Sequence, residues 1–224
     1  MKYLVPFVLL FAIGCRESKA PPQPSPSQAP APGAPSAPRA PVIVFLGDSL
    51  TAGLGLATDQ SYPSLIGKKL KEGGYDYEVI NAGVSGDTSA GGLRRLDWSL
   101  NGDVRVLLVA LGGNDGLRGL PPSELKKNLS SILDRARAKN IPAILAGMEA
   151  PPNNGPDYTR EFHEVYSSLA QEYKVRFIPF LLQGVAGDAT LNQGDGIHPN
   201  VRGAQIVADL VWKELEPMLE RPKN

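Results

Sequence analysis

A serine that ends an apolar run, a late histidine and a carboxylate three residues before it are the groups whose types and spacing could do chemistry. Ser49 follows Val42-Ile43-Val44-Phe45-Leu46-Gly47-Asp48. A serine hydroxyl is a weak nucleophile until a base takes its proton. The chain holds two histidines. His163 falls in a helical stretch beside Glu161 and Glu164 and reads as a solvated helix residue. His198 falls in the glycine-rich segment Asn192-Gln193-Gly194-Asp195-Gly196-Ile197-His198-Pro199-Asn200. The spacing lets Asp195 hold one ring nitrogen, fixing the tautomer and stabilising the imidazolium, and leaves the other nitrogen for Ser49. The expected chemistry is acyl transfer through an acyl-enzyme. Each group has a plainer alternative: Ser49 as a helix N-cap, and Asp195 with His198 as an Asx turn ahead of a helix.

The tetrahedral intermediate of acyl transfer needs donors for its oxyanion. The backbone N–H groups of Ser49 and Gly86 are candidates, with the side-chain amide of Asn114 as a third. The alternatives are a turn requirement at Gly86 and a loop hydrogen bond at Asn114.

The elements that would position these groups alternate along the chain. The apolar run at 42–46 reads as a buried strand, and 51–60 as a glycine-containing loop without the Gly-Lys-Ser/Thr of a phosphate loop. Leu65, Ile66 and Leu70 give a helix over 62–71, closed by Gly73-Gly74. A second strand is expected at 77–80, followed by the loop Asn81-Ala82-Gly83-Val84-Ser85-Gly86-Asp87-Thr88. Leu93, Leu96 and Leu100 mark the next helix. Residues 104–111 form the strongest strand, apolar except for Arg105, as suits a central parallel strand, and lead into a loop at Gly112-Gly113-Asn114-Asp115. Helices are expected at about 121–139, 157–173 and from Asn200 to about 219, with strands at 141–148 and 175–179. This alternation predicts a three-layer α/β/α domain whose five-stranded parallel sheet fits the flavodoxin-like order 2-1-3-4-5. In that order Ser49, Gly86 and Asn114 share the C-terminal edge of three adjacent strands.

Composition narrows the function classes. Lysines plus arginines number 23, as do aspartates plus glutamates, so the charge balance gives no argument for nucleic acid. Two histidines and one cysteine exclude His/Cys metal clusters and an internal disulfide. No metal and no cofactor are expected. At the N-terminus, Lys2 and the apolar run over 4–13 read as a signal peptide too short to span a bilayer. It ends in Ala12-Ile13-Gly14-Cys15, which resembles a bacterial lipobox with Cys15 as the lipidated residue. Residues 16–41, rich in proline and alanine, read as a disordered tether reaching on the order of 80 Å. The expected organisation is a lipoprotein signal peptide over 1–15, a tether over 16–41, a hydrolase domain over 42–219 and a tail over 220–224. The chain is expected in the bacterial cell envelope, lipid-anchored and either periplasm-facing or at the outer membrane, as a monomer or weak oligomer.

Four blocks carry a resemblance: Gly47-Asp48-Ser49-Leu50, Gly83-Val84-Ser85-Gly86-Asp87-Thr88, Gly112-Gly113-Asn114-Asp115 and Asp195-Gly196-Ile197-His198-Pro199. In type, order and spacing they resemble the SGNH (GDSL) hydrolase family. Ser85-Gly86-Asp87-Thr88-Ser89 and the run from Leu111 to Gly119 are similar to its bacterial periplasmic thioesterase/lysophospholipase and arylesterase group. The resemblance implies Ser49 as nucleophile, His198 as base, Asp195 as its partner, and Ser49, Gly86 and Asn114 as the oxyanion hole. It also implies that the loop 149–156 borders the acyl site. Leu54, Leu117, Met148 and Pro151 could then line a substrate pocket, or simply pack as core and loop. The expected activity is hydrolysis of small acyl esters, with thioesters and lysophospholipids in range. The rivals are an envelope-glycan O-acetylesterase, a non-catalytic acyl- or glycan-binding lipoprotein, and a metal phosphodiesterase using Asp48, Asp115 and Asp195.

Overall fold

The computed structural model describes residues 40–221. The lipobox at Cys15, nearly all of the tether and the end of the tail lie outside the described residues. In chain order the elements are β1 Val42–Gly47, α1 Ser49–Ala52, α2 Tyr62–Glu72, β2 Glu78–Gly83, α3 Ser89–Ser99 and β3 Val104–Ala110. They continue as α4 Gly113–Leu117, α5 Pro122–Ala138, β4 Ala143–Ala146, α6 Pro156–Tyr173, β5 Arg176–Ile178 and α7 Val201–Leu215. The five strands form one parallel sheet in the order β2-β1-β3-β4-β5, as the alternation predicted.

Burial explains why these segments became strands. Every residue of β1 is buried, and β3 is buried except at Arg105. A strand covered on both faces reads as a continuous apolar run, and removing each Ile, Leu, Val or Phe side chain from water contributes about 1.5–3 kcal/mol. Helices supply the covers. Leu125, Leu129, Ile132, Leu133 and Ala136 share the buried side of α5, and Phe162, Val165, Tyr166 and Leu169 that of α6. Helices α3, α5 and α6 pack side by side, and α2 packs with α7. Right-handed crossovers put the two groups on opposite faces of the sheet.

Three local expectations change. The segment 51–60 is not all loop: α1 begins at Ser49 and a 3-10 turn covers Thr58–Gln60. The second strand runs on through Asn81, Ala82 and Gly83, because each pairs in register with Phe45, Leu46 and Gly47 of β1. Residues 113–115 belong to the one-turn helix α4, which is too short to show periodicity in sequence.

The C-terminal edge of the sheet needs small residues. A Cβ at Gly47 would overlap the Thr51 side chain, and one at Gly83 would overlap the backbone of Ala52. Both glycines therefore let α1 sit directly on the ends of β1 and β2. That seating aims Ser49 out of the sheet edge.

Candidate active site

Ser49 is the first residue of α1, so the plain reading as an N-cap belongs one residue earlier. Asp48 is the cap, and its Oδ1 accepts the N–H of Leu50 at 3.0 Å. The turn from β1 into α1 thereby frees the serine hydroxyl. Its Oγ lies 2.8 Å from His198 Nε2. On the far side of the ring, His198 Nδ1 lies 2.7 Å from Asp195 Oδ2. An ionised carboxylate can only accept, so Nδ1 carries the proton and Nε2 is left to accept from Ser49.

The loop that carries His198 is tied down from several sides. Asp195 Oδ1 accepts the N–H groups of Ile197 and His198, both at 3.0 Å. These contacts, led by the His198 N–H and followed by its ring, pull the Asp195 carboxyl down to about 2. The expected Asx turn is thus present, and it serves the imidazole contact rather than replacing it. Gln193 donates through Nε2 to Leu54 O at 2.7 Å and to Pro199 O at 3.0 Å, fastening the loop to the segment after α1. Asn200 caps α7, its Oδ1 accepting from Arg202 and Gly203.

The sheet order brings the candidate oxyanion donors beside the serine. Gly86 follows β2 and Asn114 is the second residue of α4 after β3, on either side of β1. Gly86 adopts φ +81°, a left-handed conformation that suits glycine. The backbone N–H groups of Ser49 and Gly86 have no hydrogen-bond acceptor among the described residues. Asn114 Nδ2 donates to Asp87 O at 2.9 Å and faces Asp48 Oδ2 at 3.3 Å. Asp48 is 2% exposed. Burial pushes its carboxyl from 3.8 up to about 6, against the Leu50 N–H, the field of His198 and the Asn114 amide, which lower it.

Two arginines brace this edge, and sequence reasoning passed over both. Arg95 of α3 donates to Asp87 Oδ2 at 2.6 Å, Ala82 O at 2.6 Å and Gly47 O at 2.7 Å. One guanidinium thus joins the ends of β1 and β2 to the loop that holds Gly86. Arg118, just past α4, donates to Gly86 O at 2.8 Å. The signal available in sequence was an arginine eight residues after Asp87, inside the following helix, and nothing local marks it.

Asp115 spends both carboxylate oxygens on Ser89, accepting its N–H at 2.8 Å and its hydroxyl at 2.6 Å. It locks α4 to the start of α3. Among the described residues no cluster of three or more His, Cys, Asp or Glu side chains could hold a metal ion. His163 is half exposed, and its Nδ1 donates to Glu149 Oε1 at 2.9 Å. It stays apart from Ser49.

A cavity of about 510 Å³ opens over Ser49 and His198. Its floor includes Asp48, Gly86 and Asn114. Leu54, Leu117, Met148 and Pro151, the four pocket candidates from sequence, all line it, as do Phe180, Leu182 and Ile197. Leu54 and Leu117 are 46% and 52% exposed, whereas Met148 is buried. The first two are rim residues and the third is wall. The size lies within the range usual for small-molecule sites. With a serine–imidazole–carboxylate chain and two unpaired N–H groups at its base, this cavity has the parts for acyl transfer.

A model of the GDSL-like lipase/acylhydrolase family matches residues 45–206. The chain is 45% identical over 178 residues to esterase TesA of Pseudomonas aeruginosa, covering 79% of this chain and 89% of the relative. It is 38% identical over 178 residues to thioesterase 1/protease 1/lysophospholipase L1 of Escherichia coli K12, covering 79% and 84% respectively. A crystal structure of TesA superposes with a TM-score of 0.76 at 44% identity, covering 80% of this chain and 99% of that one.

Proposed function

Because the chain belongs to the GDSL-like lipase/acylhydrolase family, we propose that its carboxylic ester hydrolysis runs through an acyl-enzyme on Ser49, with His198 as base and Asp195 as its partner. The observation that carries this reading is the continuous chain Ser49 Oγ to His198 Nε2 at 2.8 Å and His198 Nδ1 to Asp195 Oδ2 at 2.7 Å. As Ser49 attacks the carbonyl carbon, Nε2 takes the hydroxyl proton and later hands it to the leaving oxygen. Asp195, held ionised by the backbone N–H groups beneath it, stabilises the imidazolium. The N–H groups of Ser49 and Gly86 receive the developing oxyanion. Asn114 adds a third donor when its second amide proton turns from Asp48 to that oxygen. Water, activated by His198, then releases the acyl group.

The substrates are small acyl esters whose chain lies against Leu117, Met148 and Pro151. Thioesters and lysophospholipids fall within the same chemistry. Residues 1–15 are a lipoprotein signal peptide, and Cys15 anchors the enzyme in the bacterial cell envelope through the tether over 16–41. The test is hydrolysis of p-nitrophenyl esters from acetyl to dodecanoyl by the full chain and by Ser49→Ala. The wild type turns esters over, and the variant loses activity to background and no longer takes a fluorophosphonate label. Equal turnover by both proteins refutes Ser49 as nucleophile.

A further inference from the structure

One ionisable side chain in the cavity wall has no part in the acyl transfer described above. Glu149, in the loop after β4, sits between Met148 and Ala150-Pro151, which also line the cavity. Apart from Asp48 and His198 in the floor, it is the ionisable residue lining this space among the described residues. Its carboxylate is fixed in place, because Oε1 accepts from His163 Nδ1 of α6 at 2.9 Å. The side chain is 40% exposed, and the residue is part of the cavity wall.

The groups around Glu149 do not cancel that charge with a permanent cation. His163 contacts it from α6, while the buried Tyr166 hydroxyl of the same helix donates to Leu111 O. Arg160 on the same helix pairs with Asp157. Arg118 donates to Gly86 O, and Arg95 pairs with Asp87. Among the residues that line the cavity, Asp48 and Glu149 are the acidic ones and none is a lysine or an arginine.

We propose that Glu149 is a specificity-determining residue: the site favours esters that carry an ammonium group on the part lying along the loop after β4, and disfavours esters with a carboxylate or phosphate there. The proposal rests on the ester-hydrolase reading and names a substrate class within it. A cation about 6 Å from a carboxylate, in surroundings between bulk water and a half-covered protein surface, gains a preference of about three- to tenfold. Salt screens part of it, so the preference shrinks as ionic strength rises.

The test compares matched esters that differ only in charge, using the full chain. One series carries the charge in the acyl half: p-nitrophenyl esters of ω-trimethylammonio alkanoates against their neutral tert-butyl-ended counterparts. The other carries it in the alcohol half: choline esters against 3,3-dimethylbutyl esters. In each protein the cationic kcat/KM is divided by that of its neutral partner, so any general effect of a substitution cancels. In the acyl series the wild-type ratio exceeds that of Glu149→Gln by about three- to tenfold, Glu149→Lys lowers it further, and the alcohol series changes less. Acyl-series ratios that agree within twofold among all three proteins, with the neutral esters turned over, overturn the proposal alone. No turnover of any neutral ester by the wild type overturns the ester-hydrolase reading, and the proposal with it.

Discussion

Replacing Asp48 by asparagine tests the electrostatics beneath the nucleophile. The carboxyl is buried directly before Ser49, and its folded-state pKa stands at about 6 against the ordinary 3.8. A raised value means that the folded chain holds this proton more tightly than the unfolded chain. The contribution to stability is therefore full below the unfolded value and is lost as pH rises through the folded one. The gap between 3.8 and about 6 corresponds to about 3 kcal/mol. The amide of the Asp48→Asn variant has nothing to ionise, yet its oxygen can still accept the Leu50 N–H. Urea unfolding of both proteins at pH 4, 5, 6 and 7 reads the difference directly. Relative to the wild type, Asp48→Asn gains about 2–2.5 kcal/mol between pH 4 and pH 7, the rest of the gap lying below pH 4, where the unfolded carboxyl is still protonated. Any fixed offset from placing a second amide beside Asn114 shifts the whole curve and leaves its slope. The same substitution lowers kcat, because an amide facing Asn114 Nδ2 offers a donor where the carboxylate offered an acceptor. A stability difference constant to within about 1 kcal/mol across this range would refute the argument that burial holds Asp48 up.

Two further substitutions probe the oxyanion edge. Asn114→Ala lowers kcat by about 10²–10³ with little change in KM, the signature of a donor used mainly in the transition state, as initial-rate kinetics on a p-nitrophenyl ester will show. Arg95→Lys cannot reproduce the three contacts to Asp87, Ala82 and Gly47. It costs about 2–3 kcal/mol in chemical denaturation and lowers kcat more than it raises KM, since the loop that carries Gly86 loses its brace.

Much of the fold was readable because the sheet is parallel and covered on both sides. Strands such as Val42–Gly47 and Val104–Ala110 must be apolar throughout, so they stand out without any partner in view. The helices between them carry their buried side chains at helical spacing. The site was readable where chemistry demands particular residue types: a serine after the first strand, two candidate histidines and an aspartate three residues before one of them. Less visible were elements defined by their neighbours. Asn81 to Gly83 look like loop, and become strand because β1 pairs with them. The single turn α4 has too few residues for a period.

The sequence by itself determined the alternation of strands and helices, and with it the edge on which Ser49, Gly86 and Asn114 emerge. It also supplied the reactive groups and the short-range turn that lets Asp195 reach His198. Only the tertiary structure decided that Ser49 and His198, 149 positions apart, meet at hydrogen-bond distance. It also decided that Asp48 is buried, that Arg95 bridges two strand ends, and that Glu149 is part of the cavity wall. Those outcomes depend on desolvation and on contacts between distant segments. A side chain's neighbours set both, and no local pattern of residues records them.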